Sequence, residues 1–185
     1  IKSNELDLAG QTFLLKRLEQ GLVVDKLAAR GVDKKGAWFE PGTSVYWGAL
    51  RYQKARTLRD FEQALGHWRA PTLNHVYADT KGNIAWLPAG YIPGRPHHDG
   101  LMPVPGDGRY EWGPPLRPEQ MPRRVNPAEG FLTTSNELNL PADYPYAELR
   151  PGFEWTPGWR HERISSVLAQ PRSFSIEDSK HLQTD

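Results

Sequence analysis

The sequence predicts an α+β fold rich in ordered loops, and three observations carry that expectation. Short runs of β-formers recur from Thr12 to Ile92. Apolar residues return at helical spacing near Leu58 and again after Trp159. Glycine and proline, 17 of each, crowd between Pro88 and Pro157, where they call for short strands joined by rigid connections.

The elements follow in order. Thr12-Phe13-Leu14-Leu15, Gly21-Leu22-Val23-Val24 and Ser44-Val45-Tyr46-Trp47 read as strands, with Asp33-Lys34-Lys35-Gly36 as a hairpin turn. Thr57 then offers an N-cap and Asp60 an acidic third position. Leu58, Phe61, Leu65 and Trp68 follow on one stripe, predicting an amphipathic helix over about 58–68. Residues 72–92 predict a β-hairpin whose turn is Asp79-Thr80-Lys81-Gly82-Asn83, where Gly82 and Asn83 tolerate positive φ.

From Pro93 to Pro127 the prolines forbid a central strand or a long helix, because each lacks an N–H and fixes φ. The same stretch holds too much Trp, Tyr, Met and Val for a solvated linker, so it is expected to be an ordered Pro/Gly-rich excursion packed on the domain. At the end, Ile164, Val167 and Leu168 place a helix over 159–169. Ser175 with Glu177 and Asp178 caps another that still runs at Asp185.

Bulk properties narrow the function. A length of 185 residues fits one domain or a piece of a larger one. The 38% hydrophobic and 24% charged content fits a folded chain. A net charge of +1 with dispersed arginines argues against a nucleic-acid partner. No apolar run is long enough to span a membrane. The absence of cysteine removes disulfides, thiolate zinc sites and cysteine nucleophiles. The chain starts at Ile1 and its last helix has no closing signal, so residues 1–185 are expected to be a single partial domain with both ends cut.

Local motifs are sparse. His97-His98-Asp99 is tempting for metal, yet adjacent side chains on an extended chain point apart, and a solvated loop is the plainer reading. His161-Glu162-Arg163 at a helix start reads as an exposed ion pair. No Gly-x-Ser-x-Gly elbow, phosphate loop or HExxH pair occurs. Gly130-Phe131-Leu132-Thr133-Thr134-Ser135-Asn136 reads as a short strand running into a polar stop, which leaves open whether Asn136 only ends a strand or aims its amide at something.

The order of longer stretches decides more. YADTKGNIAW, GYIPGRP, PVPGDGRYEW, NPAEGFLTTSN, DYP and WRHERI…L…LQTD occur in this sequence. Together they resemble the β-subunit of the penicillin acylase family of N-terminal nucleophile hydrolases, in detail from about Thr57 to Asp185. The resemblance implies part of an αββα sandwich in a periplasmic or secreted amidase, matured by autocatalytic cleavage of a precursor. It implies a nucleophilic N-terminal serine whose own α-amine is the base. An α-amine titrates near neutral pH, unlike a lysine.

By the same resemblance, Asn136 falls on the asparagine that donates to the oxyanion hole, and Arg163 on an arginine that orients that asparagine and the nucleophile amine. A structural calcium is implied as well, with Glu148 and the carbonyl of Gly100 on two of its ligand positions. Calcium takes six to eight oxygens, and the other ligands lie outside this chain. The expected partners are a small N-acyl substrate and the remaining acylase segments, namely the nucleophile-bearing portion and the α-subunit.

The expected function is therefore that of a fragment of an amide hydrolase acting on β-lactam antibiotics, acyl-homoserine lactones or related N-acyl compounds, inactive alone. The alternative from another class is a non-catalytic β-rich binding module that uses a Trp-, Tyr- and Pro-rich surface.

Overall fold

The computed structural model describes residues 3–8, 11–18, 21–24, 37, 41–43, 46–102, 104–152 and 155–185. The chain divides into two compact units. One comprises residues 1–73, 88–121 and 145–153, the other 74–87, 122–144 and 154–185.

The first unit opens with an antiparallel meander of β1 (Ser3–Leu8), β2 (Gln11–Leu18) and β3 (Gly21–Val24). Leu6 pairs with Phe13 and Lys16 with Val23. The runs expected at Thr12–Leu15 and Gly21–Val24 thus fall on β2 and β3. The turn expected at Asp33–Gly36 lies outside the described residues, as do Ser44 and Val45. The rest of that expected third strand is corrected: Tyr46 is left-handed at φ 58, and Trp47–Lys54 is a 3₁₀ helix. β-propensity reflects packing on a pleated face, and here Tyr46 instead meets the Trp68 ring edge-on while Trp47 is exposed. Gly48 sits where an added Cβ would lie 2.8 Å from the Trp68 backbone, so the 3₁₀ helix and the Trp68 segment approach as only glycine permits.

Helix α1 (Leu58–Leu65) begins where the cap signal places it, with the Asp60 amide donating to Thr57 Oγ1 at 3.1 Å. The Asp60 carboxylate accepts from the Arg56 amide at 3.0 Å. The helix stops at Leu65, short of the expected Trp68, and Gly66 follows. Ala64, Leu65, Trp68, Ala70, Ala89 and Ile92 are buried here. Tyr52 stacks on Trp68 with ring centroids 5.8 Å apart and tilts against Phe61 at 4.9 Å, geometries that add to simple area burial.

Among the described residues of 93–127, the regular structure is an isolated bridge between Gly94 and Gly113, one 3₁₀ turn at Pro118–Gln120 and strand β6 (Arg124–Val125). The one-turn helix α2 (Tyr146–Leu149) was not expected from the sequence. It ends at Arg150, which is left-handed at φ 46. Arg150 donates to the carbonyl of His98 at 2.8 Å while Arg95 donates to the carbonyl of Arg150 at 3.1 Å.

The second unit is built on a three-stranded sheet in the order β4 (Leu73–Ala78), β5 (Ile84–Ala89) and β6. The hairpin turn is the expected Asp79–Asn83, with Gly82 at φ 85. Asp79 closes it by accepting from the amides of Lys81 and Asn83, each at 2.9 Å, and from the Asn83 side chain at 2.8 Å. These bonds hold its carboxyl at about 2, with the Asn83 side chain the largest cause. Strand β5 is the middle strand, and Ala85, Trp86 and Leu87 are buried on it. It pairs with β6 through Ala85–Val125 and Trp86–Arg124. Helices α3 (Trp159–Leu168) and α4 (Ile176–Gln183) complete the unit. The Ser175 cap of α4 is a full capping box with Asp178, and the helix closes at Gln183 rather than running on.

Candidate active site

Phe131–Thr134 form no strand. Four β-formers need a partner edge for their N–H and C=O groups, and the ladder of β5 and β6 ends at Val125. Asn136 is therefore held by side chains and a neighbouring segment rather than by a sheet, a correction to the strand-end picture. Its backbone is left-handed at φ 69, a conformation that asparagine tolerates better than most residues. Ser135 and Glu137 on either side are buried, whereas Asn136 is exposed.

Two segments fix this bend. The amide of Thr156 donates to the Asn136 carbonyl at 2.7 Å, and Thr156 Oγ1 donates to the Ser135 carbonyl at 3.1 Å. The first turn of α3 then supplies Arg160. Its Nη2 donates to the Ser135 carbonyl at 2.6 Å and to Asn136 Oδ1 at 3.1 Å. A guanidinium only donates, so it claims the oxygen end of the amide. Nδ2 is left pointing away, with no acceptor for it among the described residues. A cation in the first turn of a helix opposes the macrodipole. Arg160 is thus placed against local helix preference, as happens where function outweighs stability.

Arg163 lies one turn further along α3 and faces elsewhere. Its Nε and Nη2 each lie 2.6 Å from Asp185 Oδ2. The arginine in contact with Asn136 is Arg160, which sequence reasoning passed over. The spacing R-x-x-R left both on neighbouring helix faces, and only the entry angle of α3 separates them.

Glu137 and His161 were also missed. Glu137 Oε2 accepts from the Ser135 amide at 2.6 Å and from Ser135 Oγ at 2.8 Å. His161 Nδ1 lies 3.0 Å from Glu137 Oε1, an ion-pair distance without hydrogen-bond alignment, so Oε1 has no hydrogen-bond donor. The same Nδ1 is 2.7 Å from Thr133 Oγ1. Burial raises the Glu137 carboxyl, but the bonds from its own backbone and from Ser135, with His161 nearby, outweigh burial and leave it below the usual carboxylate value. The exposed pairing expected within His161-Glu162-Arg163 is replaced by contacts to Glu137 and Asp185. Glu137 and His161 also line a cavity of about 400 Å³ with Thr133, Asn139, Arg124 and Trp86.

Ser165 Oγ is 3.4 Å from His161 Nε2, so Ser165, His161 and Glu137 connect in the order of a hydrolase triad. The arrangement lacks the other half of such a site. Ser165 sits inside α3, where N–H groups are used by the helix's own carbonyls, so the helix backbone around it offers no pair of free donors to a carbonyl attacked there.

Gly100 and Glu148 lie in the first unit, both exposed. Gly100 is left-handed at φ 84, and Glu148 is in the single turn of α2. Two oxygens fall well short of a calcium shell, and no cluster of three acidic or histidine side chains suited to a metal occurs among the described residues. The residues at hand do not make a calcium site by themselves. His97-His98-Asp99 forms no such cluster either; His98 lies edge-on to Tyr110, with ring centroids 6.4 Å apart.

Comparison with solved structures places the fold. The chain superimposes over 99% of its length on a thermostable penicillin G acylase from Alcaligenes faecalis, with TM-score 0.75, 24% identity and 33% of that chain covered. The family model for penicillin amidase matches residues 4–185, and the chain belongs to that family. It is 31% identical over 173 residues to penicillin G acylase of Escherichia coli, which covers 91% of this chain and 20% of that protein. It is 31% identical over 143 residues to the acyl-homoserine lactone acylase QuiP of Pseudomonas aeruginosa, covering 75% of this chain and 16% of that protein. The chain thus spans about a fifth or less of the length of these curated relatives.

Proposed function

We propose that this chain supplies the oxyanion-binding half of an acyl-amide hydrolase, with Asn136 as the donor and Arg160 as the residue that aims it. The observation that carries the reading is the Arg160 contact to Asn136 Oδ1 at 3.1 Å. It fixes which end of the amide is presented. When an amide carbonyl is attacked, its oxygen gains charge and needs donors already oriented. Nδ2 is such a donor, neutral and requiring no proton transfer. The guanidinium and the N-terminal end of α3 add positive potential on the same side.

The attacking group in this reading is an N-terminal serine, activated by its own α-amine and carried on an acylase segment outside residues 1–185. The two small antiparallel sheets then belong to the layers of an αββα sandwich completed by that segment and the α-subunit. The substrates are N-acyl compounds of the penicillin or acyl-homoserine lactone type, a reading supported by what the relatives are named for. A periplasmic or secreted location belongs to the same reading. Any calcium draws its remaining ligands from the other segments.

The test is hydrolysis of a chromogenic phenylacetyl or fatty-acyl amide. The purified chain should release no acid above buffer. The acylase that joins this segment to its serine should release it, and should lose that ability when Asn136 is replaced. Turnover by the isolated chain would overturn the division of labour proposed here.

A further inference from the structure

We propose that Glu137 and His161 are positioning residues for Asn136, holding from behind the left-handed bend from which its amide is presented. The proposal rests on the reading of Asn136 as oxyanion donor. Three observations carry it. First, the Glu137 carboxylate reaches back past Asn136 to take both the amide and the hydroxyl of Ser135, at 2.6 and 2.8 Å. It closes a ring of bonds around Asn136, whose left-handed φ of 69 needs holding. Second, this carboxylate is buried, with a side-chain exposure of 6%. A buried charge is costly unless partnered; among the described residues its second oxygen accepts no hydrogen bond and lies 3.0 Å from the imidazole of His161.

Third, the contacts come from neighbouring residues. Arg160 and His161, consecutive on α3, meet Asn136 and Glu137, consecutive in the loop. One turn of helix therefore sets the side chain of Asn136 through Arg160 and its backbone through His161, Glu137 and Ser135. Thr133, 2.7 Å from the same imidazole nitrogen, fixes the ring against rotation. Displacement of a catalytic donor by about 1 Å is enough to cost on the order of a hundredfold in rate, so such a frame has a function beyond stability.

The experiment measures kcat, KM and thermal melting of the serine-containing acylase with Glu137→Ala, Glu137→Gln and His161→Ala, each with Asn136 intact and with Asn136→Ala. With Asn136 intact, Glu137→Ala should lower kcat by about tenfold or more while KM stays within about twofold. Glu137→Gln keeps an acceptor for Ser135 and should recover most of that loss. With Asn136→Ala already present, the same Glu137 and His161 changes should cost less than about twofold more, because residues acting through one another are non-additive. Equal kcat losses in both backgrounds would show a purely structural role and overturn the proposal, as would wild-type kcat in a folded Glu137→Ala enzyme. Should Glu137→Ala fail to fold, Ser135→Ala removes one of the two donors and carries the same test: its kcat loss must vanish in the Asn136→Ala background, and persistence there overturns the proposal. If Asn136→Ala itself leaves kcat intact, the oxyanion reading has failed and this proposal falls with it, a result distinct from additivity.

Discussion

Arg160 Nη2 lies 3.1 Å from Oδ1 of Asn136 and 2.6 Å from the carbonyl of Ser135, so one guanidinium edge grips both the side chain and the backbone of the bend. The two contacts together make the orientation of the amide a consequence of where α3 begins. Moving the start of α3 by a residue would bring Arg160 out of reach and turn Nδ2 with it.

The first prediction separates the two arginines of that helix. Arg160→Ala in the serine-containing acylase should lower kcat by about ten- to a hundredfold, since an unheld amide no longer presents one end. Lysine should rescue part of the loss, because both contacts come from the single nitrogen Nη2 and an ammonium also carries several donors. Arg163→Ala breaks an ion pair whose arginine side chain is 59% exposed, and it should change stability by no more than about 1 kcal/mol and kcat hardly at all. Steady-state kinetics and melting on both variants check this; a larger kcat loss from Arg163→Ala than from Arg160→Ala would reverse the assignment.

The second prediction concerns acid. Glu137 and Asp79 both have folded values below their ordinary ones. A depressed carboxylate contributes stability that is present above its unfolded value and lost as pH falls through its folded value. For Asp79 the window runs from 3.8 down to about 2. For Glu137 it opens below 4.5. Melting temperature followed against pH should fall through these windows, and Glu137→Gln together with Asp79→Asn should flatten that limb. An unchanged acid slope in the double variant would remove both groups from the account.

A third prediction is local. Ser175→Ala removes the cap of α4, where Ser175 Oγ accepts from the Asp178 amide at 3.1 Å and the Asp178 carboxylate accepts from the Ser175 amide at 2.8 Å. Losing such a cap costs about 1 kcal/mol, and urea unfolding should show a loss of this size. Thr57→Ala should cost a similar amount at α1, and neither change should alter kcat.

These caps show which parts of the molecule were legible in the sequence. Thr57, Ser175 and the Asp79–Asn83 turn act through neighbours in the chain, so their chemistry is visible in a short window. The Trp47 region misled because Tyr and Trp favour strands only where a pleated surface receives them; here Tyr52 stacks on Trp68, Tyr46 meets it edge-on, and Trp47 is exposed. Phe131–Thr134 misled for a related reason, since strand formers with no partner edge form no ladder. Asn136 was proposed only through the order of several motifs along the chain. Arg160, His161 and Glu137 could not be found that way. Their partners lie more than twenty residues away in sequence, and choosing Arg160 over Arg163 required the direction in which α3 enters.

The central claim is that the Asn136 amide stabilises the oxyanion, and kcat of a folded Asn136→Ala acylase tests it most directly. Loss of one such donor costs about a hundred- to a thousandfold in kcat, or roughly 2.7–4 kcal/mol. KM should move far less, because the bond strengthens only as the carbonyl becomes tetrahedral. Asn136→Asp should be at least as damaging, placing a negative charge against the oxyanion. A loss of that size in an enzyme that melts near the wild-type temperature is the predicted result. A folded Asn136→Ala enzyme with near-normal kcat would contradict the account and leave Asn136 as the residue that turns the chain and nothing more.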